Sequence, residues 1–391
     1  MARRPPAILL FLTSVVGVSA TSLVTSSLPD IVDAFDAPAA AAGLVLGAST
    51  VPGIVLAIVV GLLADRFGRK GLLVGSLLLF GVAGVAGAFA PTFGVFLAFR
   101  ALQGAGSSAL LNLGATVIGD HWEGTERSAM IGRNTAFVTV SIAILPTVGG
   151  LLTDFVGWQG PFFLFALAIP LGVAVWLRVP ETELPPAPSL AEQLSTSARF
   201  AVGRRMLVIV GLCVTVFVVL FGASLTIAPF HAEEVFGLSA SARGLLLGLP
   251  AIAATIVATL LGRLVGRFGR VALVTAGGLV YAGAYLTMGL APAVWLFAAA
   301  ILVVGAAEGL TIPVLQDATL SGAPPERRGI AVSVFGSAAR LGQTLGPAIA
   351  GVTLAGVGTR GSFWIFAGIA MLIAVGAWGG GRILRTHPAP V

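Results

Sequence analysis

Twelve apolar segments of about 20 residues or more recur along the chain, and they constrain its fold more than any other feature. A helix of this length crosses the roughly 30 Å of hydrocarbon in a bilayer and bonds its backbone polar groups internally. The segments lie near residues 7–28, 41–64, 71–90, 93–118, 129–153, 160–178, 206–230, 243–265, 271–290, 293–317, 329–356 and 361–382. The sequence therefore predicts an all-α membrane protein with twelve transmembrane helices.

Charged side chains are too few to cover a soluble protein of this size. They make up 10% of the 391 residues, whereas 57% of the residues are hydrophobic, and an average soluble domain is about 25% charged. The net charge of +6 comes from cations scattered in pairs, which argues against nucleic-acid binding. The three dispersed histidines predict no metal site. The sequence also has no nucleotide-binding or catalytic motif, so we expect neither a cofactor nor enzyme activity.

The cations between the apolar segments are distributed very unevenly. If the N-terminus is cytoplasmic, nearly all of them fall in cytoplasmic turns, and only Arg243 and Arg360 lie on the other side. Cytoplasmic loops of membrane proteins carry an excess of Lys and Arg. We therefore expect a multi-pass protein of the cell (inner) membrane with both termini in the cytoplasm.

The second half of the chain repeats the first at an offset of 201 residues. GLLADRFGRK (61–70) aligns with GRLVGRFGRV (262–271), and GWQGPFFLFA (157–166) aligns with GTRGSFWIFA (358–367). We predict an N-terminal six-helix bundle at 1–178, a polar cytoplasmic linker at 179–205 and a C-terminal six-helix bundle at 206–391. An even number of spans in each half makes the two bundles parallel, pseudo-symmetric repeats.

Three motifs resemble the signatures of the major facilitator superfamily. The first is the loop GLLADRFGRK at 61–70, and the second is the pattern Arg100, Gln103, Gly104 and Gly106 in helix 4. The third, the helix 5 motif of proton-driven drug exporters, is present in part, with Leu145 where glycine is usual. The resemblance covers the whole chain and is strongest to the twelve-helix drug:proton antiporter branch, which implies the major facilitator fold.

The resemblance also implies gating residues at the cytoplasmic turn between helices 2 and 3. It suggests that Asp65 bridges to Arg69 and that Asp120, at the foot of helix 4, completes a cluster that latches the outward-facing state. In the second half Gly266 replaces the acid, so we expect an asymmetric latch. Further gating positions implied by the two motifs are Arg66, Pro146, Gly149 and Gly150.

Charged residues inside the predicted spans are candidates for proton coupling, because each costs about 3 kcal/mol at the bilayer centre. Glu308 in helix 10 and Arg340 in helix 11 lie at similar depths and could pair. A carboxyl beside a cation in a desolvated site can be poised to exchange a proton. The alternative is a static ion pair that positions two helices. Arg100 resembles the family's helix 4 arginine and would act electrostatically, or it could be a structural anchor.

The family's substrate cavity is lined mainly by helices 1, 4, 7 and 10. The resemblance therefore suggests lining residues at Gln103, Ser107, Asn112, Phe217, Phe221, Thr226, Glu308 and Thr311. Few amides and one carboxylate suit lipophilic or cationic compounds better than sugars or organophosphates.

The sequence thus favours a secondary transporter that exports small lipophilic or cationic compounds in exchange for protons by alternating access. Its expected partners are a small-molecule substrate, protons and the lipid bilayer, with the protein acting as a monomer. One alternative is a proton-coupled exporter or an uptake permease for sugars or other native metabolites. A more distant alternative is a membrane sensor or scaffold that has lost transport.

Overall fold

The structure is a computed structural model that describes residues 5–181, 203–321 and 328–381. Every regular element within those residues is helical. The spans are α1 (Ala7–Ala34), α2 (Ala42–Phe67), α3 (Arg69–Gly87), α4 (Phe93–His121), α5 (Gly124–Val156), α6 (Gly160–Arg178), α7 (Arg204–Glu234), α8 (240–268), α9 (270–290), α10 (Val294–Ser321), α11 (328–357) and α12 (359–379).

The same backbone break occurs at corresponding places in the two halves of the sequence. Gly68, between α2 and α3, has φ 87° and ψ 148°, and Gly269, between α8 and α9, has φ 77° and ψ 161°. Gly157 (φ 91°, ψ −178°) and Gly358 (φ 64°, ψ −173°) form the second such pair. Both pairs are 201 residues apart. A residue with a Cβ rarely adopts positive φ, so glycine is required where the chain reverses direction at these breaks.

The helices are long enough to account for all twelve predicted spans. Eight helical elements of the described residues are long and apolar enough to cross a membrane. Two of these, Ala240–Leu290 and Ile330–Gly379, contain a glycine break and therefore provide two spans each. The helices α2 and α4, of 26 and 29 residues, supply the remaining two. The prediction of twelve membrane helices is confirmed.

Three of the spans contain a short 3₁₀ or π-helical segment, and in α6 it is the 3₁₀ segment Phe165–Leu167. In α1 a turn and a 3₁₀ segment at Thr25–Ser27 precede a final helical piece, Leu28–Ala34. In α7 a π-helical segment at Leu220–Ile227 precedes the final piece, Ala228–Glu234. Such interruptions change the direction in which the following side chains point, and they are frequent at functional sites.

The chain divides into two compact units. Unit 1 comprises Met1–Pro188 and Leu238–Gly248, and unit 2 comprises Ser189–Gly237 and Leu249–Val391. In unit 1, α4 packs against α1, α2 and α3, while α5 packs against α1 and against residues 240–248. In unit 2, α10 packs against α8–α9, and α7 packs against α11–α12. Most of the predicted linker at 179–205 lies outside the described residues, so the predicted domain limits stay a prediction.

Candidate functional site

Arg100 lies completely inside unit 1 and is bonded to uncharged groups. Its Nη2 donates to the carbonyl of Ala20 in α1 at 2.8 Å, and its Nη1 donates to Oε1 of Gln103 at 2.5 Å. Its Nε donates to the carbonyl of Val45 in α2 at 3.5 Å, and the ring centre of Phe162 lies 6.0 Å from the guanidinium carbon. The guanidinium thus joins α4 to two other helices, and these dipoles stabilise its buried charge.

The other candidate binding residues of unit 1 differ in their access to a ligand. Gln103 is fully buried, and among the described residues its Nε2 has no hydrogen-bond partner. Ser107 is half-buried and donates from Oγ to the carbonyl of Gly104 at 3.0 Å. The side chain of Asn112 lies outside the described residues. In unit 1, Ser107 is therefore the candidate whose described side chain is partly accessible.

Glu308 is half-buried in α10 beside two buried tyrosines of α9. Tyr281 and Tyr285 are fully buried, and both interact electrostatically with the Glu308 carboxyl. Their rings stack with centroids 5.9 Å apart. The Tyr285 hydroxyl donates to the carbonyl of Val219 at 3.1 Å and lies 3.1 Å from Oγ of Ser224. The acid therefore adjoins a polar patch within the core of unit 2.

The predicted pairing of Glu308 with Arg340 stays a prediction, although unit 2 contains both residues and leaves both half-buried. Arg340 lies in α11 and forms interactions of its own. Its neighbour one turn later, Thr344, donates to the Arg340 carbonyl at 3.0 Å. Each of the two charged side chains is partly exposed.

The remaining candidate binding residues of unit 2 fall into two groups. Thr226 and Thr311 are fully buried, and their hydroxyls donate to carbonyls of their own helices, those of Phe221 at 2.8 Å and Ala307 at 2.7 Å. Phe217 and Phe221 are half-buried, with ring centroids 6.3 Å apart. The two aromatic side chains are therefore better placed than the two threonines to contact a ligand.

An ion pair joins the turn between α2 and α3 to the end of α4. Arg69 donates from Nη1 to Oδ2 of Asp120. The next residue, Lys70, places its Nζ 5.0 Å from the ring centre of Trp176 in α6. The Arg69–Asp120 contact agrees with the cluster expected at this turn. The side chains of Asp65 and Arg66 lie outside the described residues, so their part in it stays a prediction.

Unit 2 has a corresponding ion pair that sequence reasoning missed. Arg270 lies 201 residues after Arg69 and donates from Nη2 to Oδ2 of Asp317 in α10. Its Nη1 donates to Oγ of Ser321 at 3.1 Å, and Ser321 is the counterpart of Asp120. The available signal was the repeat itself, since Asp317 lies one helical turn before Ser321 and can meet the same arginine.

The motif residues of α5 lie at very close helix contacts. A Cβ added at Gly149 would collide with the carbonyl of Leu23 in α1, and one added at Gly150 would collide with the carbonyl of Ala240. The carbonyl of Pro146 accepts a 2.8 Å hydrogen bond from Oγ of Ser26 in α1. The three predicted gating positions therefore lie where α5 approaches other backbones most closely.

Two acids of unit 1 hold the segment 240–248 against it, and sequence reasoning assigned them no contact. Arg243 is buried and donates to Oδ2 of Asp30 at the end of α1. The carboxylate of Asp154 in α5 accepts hydrogen bonds from the backbone N–H groups of Ala240 at 3.0 Å and Ser241 at 3.1 Å. Asp154 therefore caps the start of α8, where a negative charge is favourable.

The arrangement of helices, breaks and motif residues agrees with a comparison of the sequence with family models. The model described as Major Facilitator Superfamily matches residues 10–242 and 212–389, which together span nearly the whole chain. The chain belongs to the major facilitator superfamily. As members of this superfamily are membrane transporters, the superfamily and fold predicted from the motifs are confirmed.

Relatives of this superfamily member include several named exporters. Citrate exporter 1 of Aspergillus niger is 32% identical over 126 residues, which cover 32% of this chain and 24% of the relative. The chain spans between 20% and 25% of the length of the fungal relatives it matches. The bacillibactin exporter of Bacillus subtilis is 27% identical over 325 residues, which cover 78% of this chain and 79% of that protein.

Solved structures of the superfamily share the fold at low identity. A bacterial homologue of the human lysosomal transporter Spinster, in an inward-facing and occupied conformation, superposes with a TM-score of 0.84. It is 18% identical, with 98% of each chain covered. A D-xylose–proton symporter gives a TM-score of 0.75 at 19% identity, with 95% of this chain and 96% of the symporter covered. Such likenesses establish the fold alone.

Proposed function

We propose that this transporter exports small lipophilic or cationic compounds in exchange for protons by alternating access. Relatives named as an efflux pump, a multidrug transporter and a methylenomycin A resistance protein support export. The protein would act as a monomer in the cell (inner) membrane, with both termini in the cytoplasm, in keeping with its uneven cation distribution.

The half-buried Glu308 carboxyl in α10 is the observation on which the proposal rests. A carboxyl at this depth of an apolar helix is costly to keep charged, and a cationic ligand or a proton offsets that cost. In the proposed cycle Glu308 binds either the proton or the cationic substrate, so the two compete for one site. Arg340 would favour release of the proton, and the fixed charge of Arg100 would bias the unit 1 helices electrostatically.

Substrate contacts in this proposal come from the candidates with partly accessible side chains. These are Ser107 of unit 1 and Phe217, Phe221 and Glu308 of unit 2. Aromatic faces attract cations as well as apolar surfaces, which fits the proposed substrate class. Gln103, Thr226 and Thr311 are fully buried, so they would support the substrate-contacting residues without touching the substrate themselves.

Gating in this proposal uses two sets of contacts. The Arg69–Asp120 pair, together with Asp65 and Arg66, would form and break at the cytoplasmic turn. Close packing at Pro146, Gly149 and Gly150 would let α5 rock against its neighbours without an obstructing side chain.

Export of a native metabolite is a second candidate, favoured by two relatives. Their names assign them citrate and bacillibactin. An anionic metabolite would gain little from Glu308, and the charge of Arg100 would become the more important one. Substrate charge therefore separates the two candidates.

The decisive experiment measures proton flux in proteoliposomes that contain the purified protein and a pH-sensitive dye. Tetraphenylphosphonium, a neutral lipophilic dye and citrate serve as probes. We expect the cationic probe to drive proton movement and Glu308→Gln to lower that flux at least about tenfold, since glutamine cannot carry the proton. Asp36→Asn is the matched control. Asp36 is exposed and has φ 50°, a conformation that asparagine tolerates, so the flux should be unchanged.

Each other outcome excludes part of the proposal. Wild-type flux in Glu308→Gln would remove Glu308 from coupling. Flux driven by citrate instead of the cation would favour metabolite export. No substrate-dependent flux with any probe would favour the sensor or scaffold alternative.

A further inference from the structure

His231 lies in the final helical piece of α7 and is enclosed by aromatic rings. Its side chain is completely buried. The ring centroids of Phe236, Phe297 and Phe363 lie 5.7, 5.2 and 5.3 Å from that of the imidazole. These rings come from the turn that follows α7 and from the helices α10 and α12 of unit 2. The imidazole therefore forms part of the unit's core, although the proposed transport cycle gives it no role.

A hydrogen-bonded chain links this buried imidazole to an exposed carboxylate. Nδ1 of His231 lies 3.0 Å from Oγ1 of Thr359, and Thr359 donates to Oε2 of Glu234 at 3.3 Å. Because the carboxylate only accepts, the Thr359 hydroxyl donates to it and must accept from Nδ1–H of His231. The other nitrogen, Nε2, is buried and has no hydrogen-bond partner among the described residues. It is therefore the basic nitrogen of the ring.

Unit 1 contains the same aromatic cluster without the histidine. Phe35, Phe96 and Phe162 lie 201 residues before Phe236, Phe297 and Phe363 and pack in the same manner. Trp158 occupies the place of Thr359 and completes the cluster, with its ring centroid 5.1 Å from that of Phe35 and 5.8 Å from that of Phe96. Asp30, at the place of His231, pairs instead with Arg243. In unit 1 the Trp158 ring fills the space that the His231 ring fills in unit 2. Packing alone therefore does not require a histidine with polar partners at this place.

We propose that His231 is a proton-binding site of unit 2. A proton from solution adds to the Nε2 lone pair, and the resulting imidazolium keeps its Nδ1–H bond to Thr359. The Glu234 carboxylate stabilises the new charge through the Thr359 hydroxyl. Burial of the ring opposes the added charge most, and Arg360, next to Thr359 on α12, opposes it electrostatically as well. On α10 the imidazole faces only Phe297 among the described contacts.

The site can be tested directly on the folded protein, without any substrate. Replacing the other two histidines, as His121→Gln and His387→Gln, leaves His231 as the only imidazole. Nitrogen-15 NMR of histidine-labelled protein in proteoliposomes then reports the protonation state of one ring. We expect a single inflection of the Nε2 shift between about pH 3.5 and 9, with Nδ1 protonated on both sides of it. A ring that stays neutral throughout this range would overturn the proposal.

The two neighbouring charges give predictions of opposite sign. Glu234→Gln keeps an acceptor for Thr359 but removes the stabilising charge, so the midpoint should fall by about one pH unit. Arg360→Gln removes the opposing cation, so the midpoint should rise, and by less, because Arg360 is exposed and screened. Asp33→Asn is the control, because Asp33 is exposed and lies 201 residues before Glu234. If the titration midpoints of the two variants shifted in the same direction, or did not shift, the hydrogen-bonded chain would be only structural.

The consequence for transport rests on the proposed proton exchange and has its own test. In His231→Asn the amide can still donate to Thr359 but cannot take up a proton. We expect this variant to fold and to bind tetraphenylphosphonium. When the external pH is lowered, the increase in its proton flux should be at most about half of the increase seen in the parent protein. Unchanged flux would show that His231 plays no part in transport. Failure of Glu308→Gln to alter coupling would end the proposed function, whereas the NMR inflection would stand.

Discussion

The fourth helices of the two repeats carry opposite charges in their interiors. In α4 of unit 1 Arg100 is buried, and its counterpart 201 residues later is Ile301. In α10 of unit 2 Glu308 is half-buried, and its counterpart in α4 is Ser107. Each guanidinium nitrogen of Arg100 donates to a fixed dipole, whereas the Glu308 side chain is partly exposed. The two repeats therefore share one helical frame but differ in the charge of the fourth helix, which is a buried cation in unit 1 and a half-buried acid in unit 2.

The ion pairs at the turns show what the repeats have kept. Arg69 and Arg270 occupy equivalent positions, and each pairs with an acid near the end of the fourth helix of its unit. Ser321 is the residue that aligns with Asp120, and the acid of unit 2, Asp317, lies one helical turn before Ser321. A contact can thus persist between repeats when its residues do not align, because residues one turn apart lie on the same helix face.

Among the variants that test the difference between the two units, replacement of Arg100 should have the largest effect on stability and transport. Arg100→Leu leaves the Gln103 amide oxygen and the Ala20 carbonyl without the arginine donor, and each buried unpaired group costs about 1–3 kcal/mol. We expect a clearly lower thermal melting temperature in detergent and at least a tenfold loss of transport. Ile301→Leu, at the equivalent site of unit 2, is the control and should change little. Equal melting temperatures in the two variants would show that the Arg100 bonds add no stability.

A second contrast concerns close packing of α5 and its counterpart α11. Gly149 faces the Leu23 carbonyl with no room for a Cβ, whereas its counterpart in α11 is the buried Ala350. Gly149→Ala should lower the free energy of unfolding by about 1–3 kcal/mol through overpacking and should impair transport. Ala350→Gly should cost only about 0.5–1 kcal/mol, as expected for glycine in a helix. A larger loss of melting temperature in Ala350→Gly would contradict this reading of the two contacts.

Sequence reasoning predicted the elements of this fold better than its side-chain contacts. Length and hydropathy suffice for the spans, since each must cross the bilayer, and the offset of 201 residues is visible in the printed sequence. The contact of Arg69 with Asp120 could be expected because a specific motif carries it. The contacts of Asp30 with Arg243 and of His231 with Thr359 join residues 213 and 128 positions apart. Helices that are apolar on all sides show no polar stripe from which their rotation could be read.

The smallest effects should come from the two turn ion pairs, and they test whether the pairs still serve the same purpose. Exposed ion pairs contribute only about 0–1 kcal/mol, so Arg69→Gln and Arg270→Gln should melt within a few degrees of the parent protein. The acids differ in environment, since the side chain of Asp120 is 19% exposed and that of Asp317 is 57% exposed.

If the unit 1 pair gates transport, Arg69→Gln should slow the initial rate of proton flux several-fold, while Arg270→Gln should change it by less than about twofold. Asp120→Asn and Asp317→Asn replace the acidic partner of each pair. In vesicles of the same composition they should show the same difference in initial rate. Equal rates for all four variants would mean that the turn pairs anchor the helix ends alike in both units and that the duplication left them with one structural role.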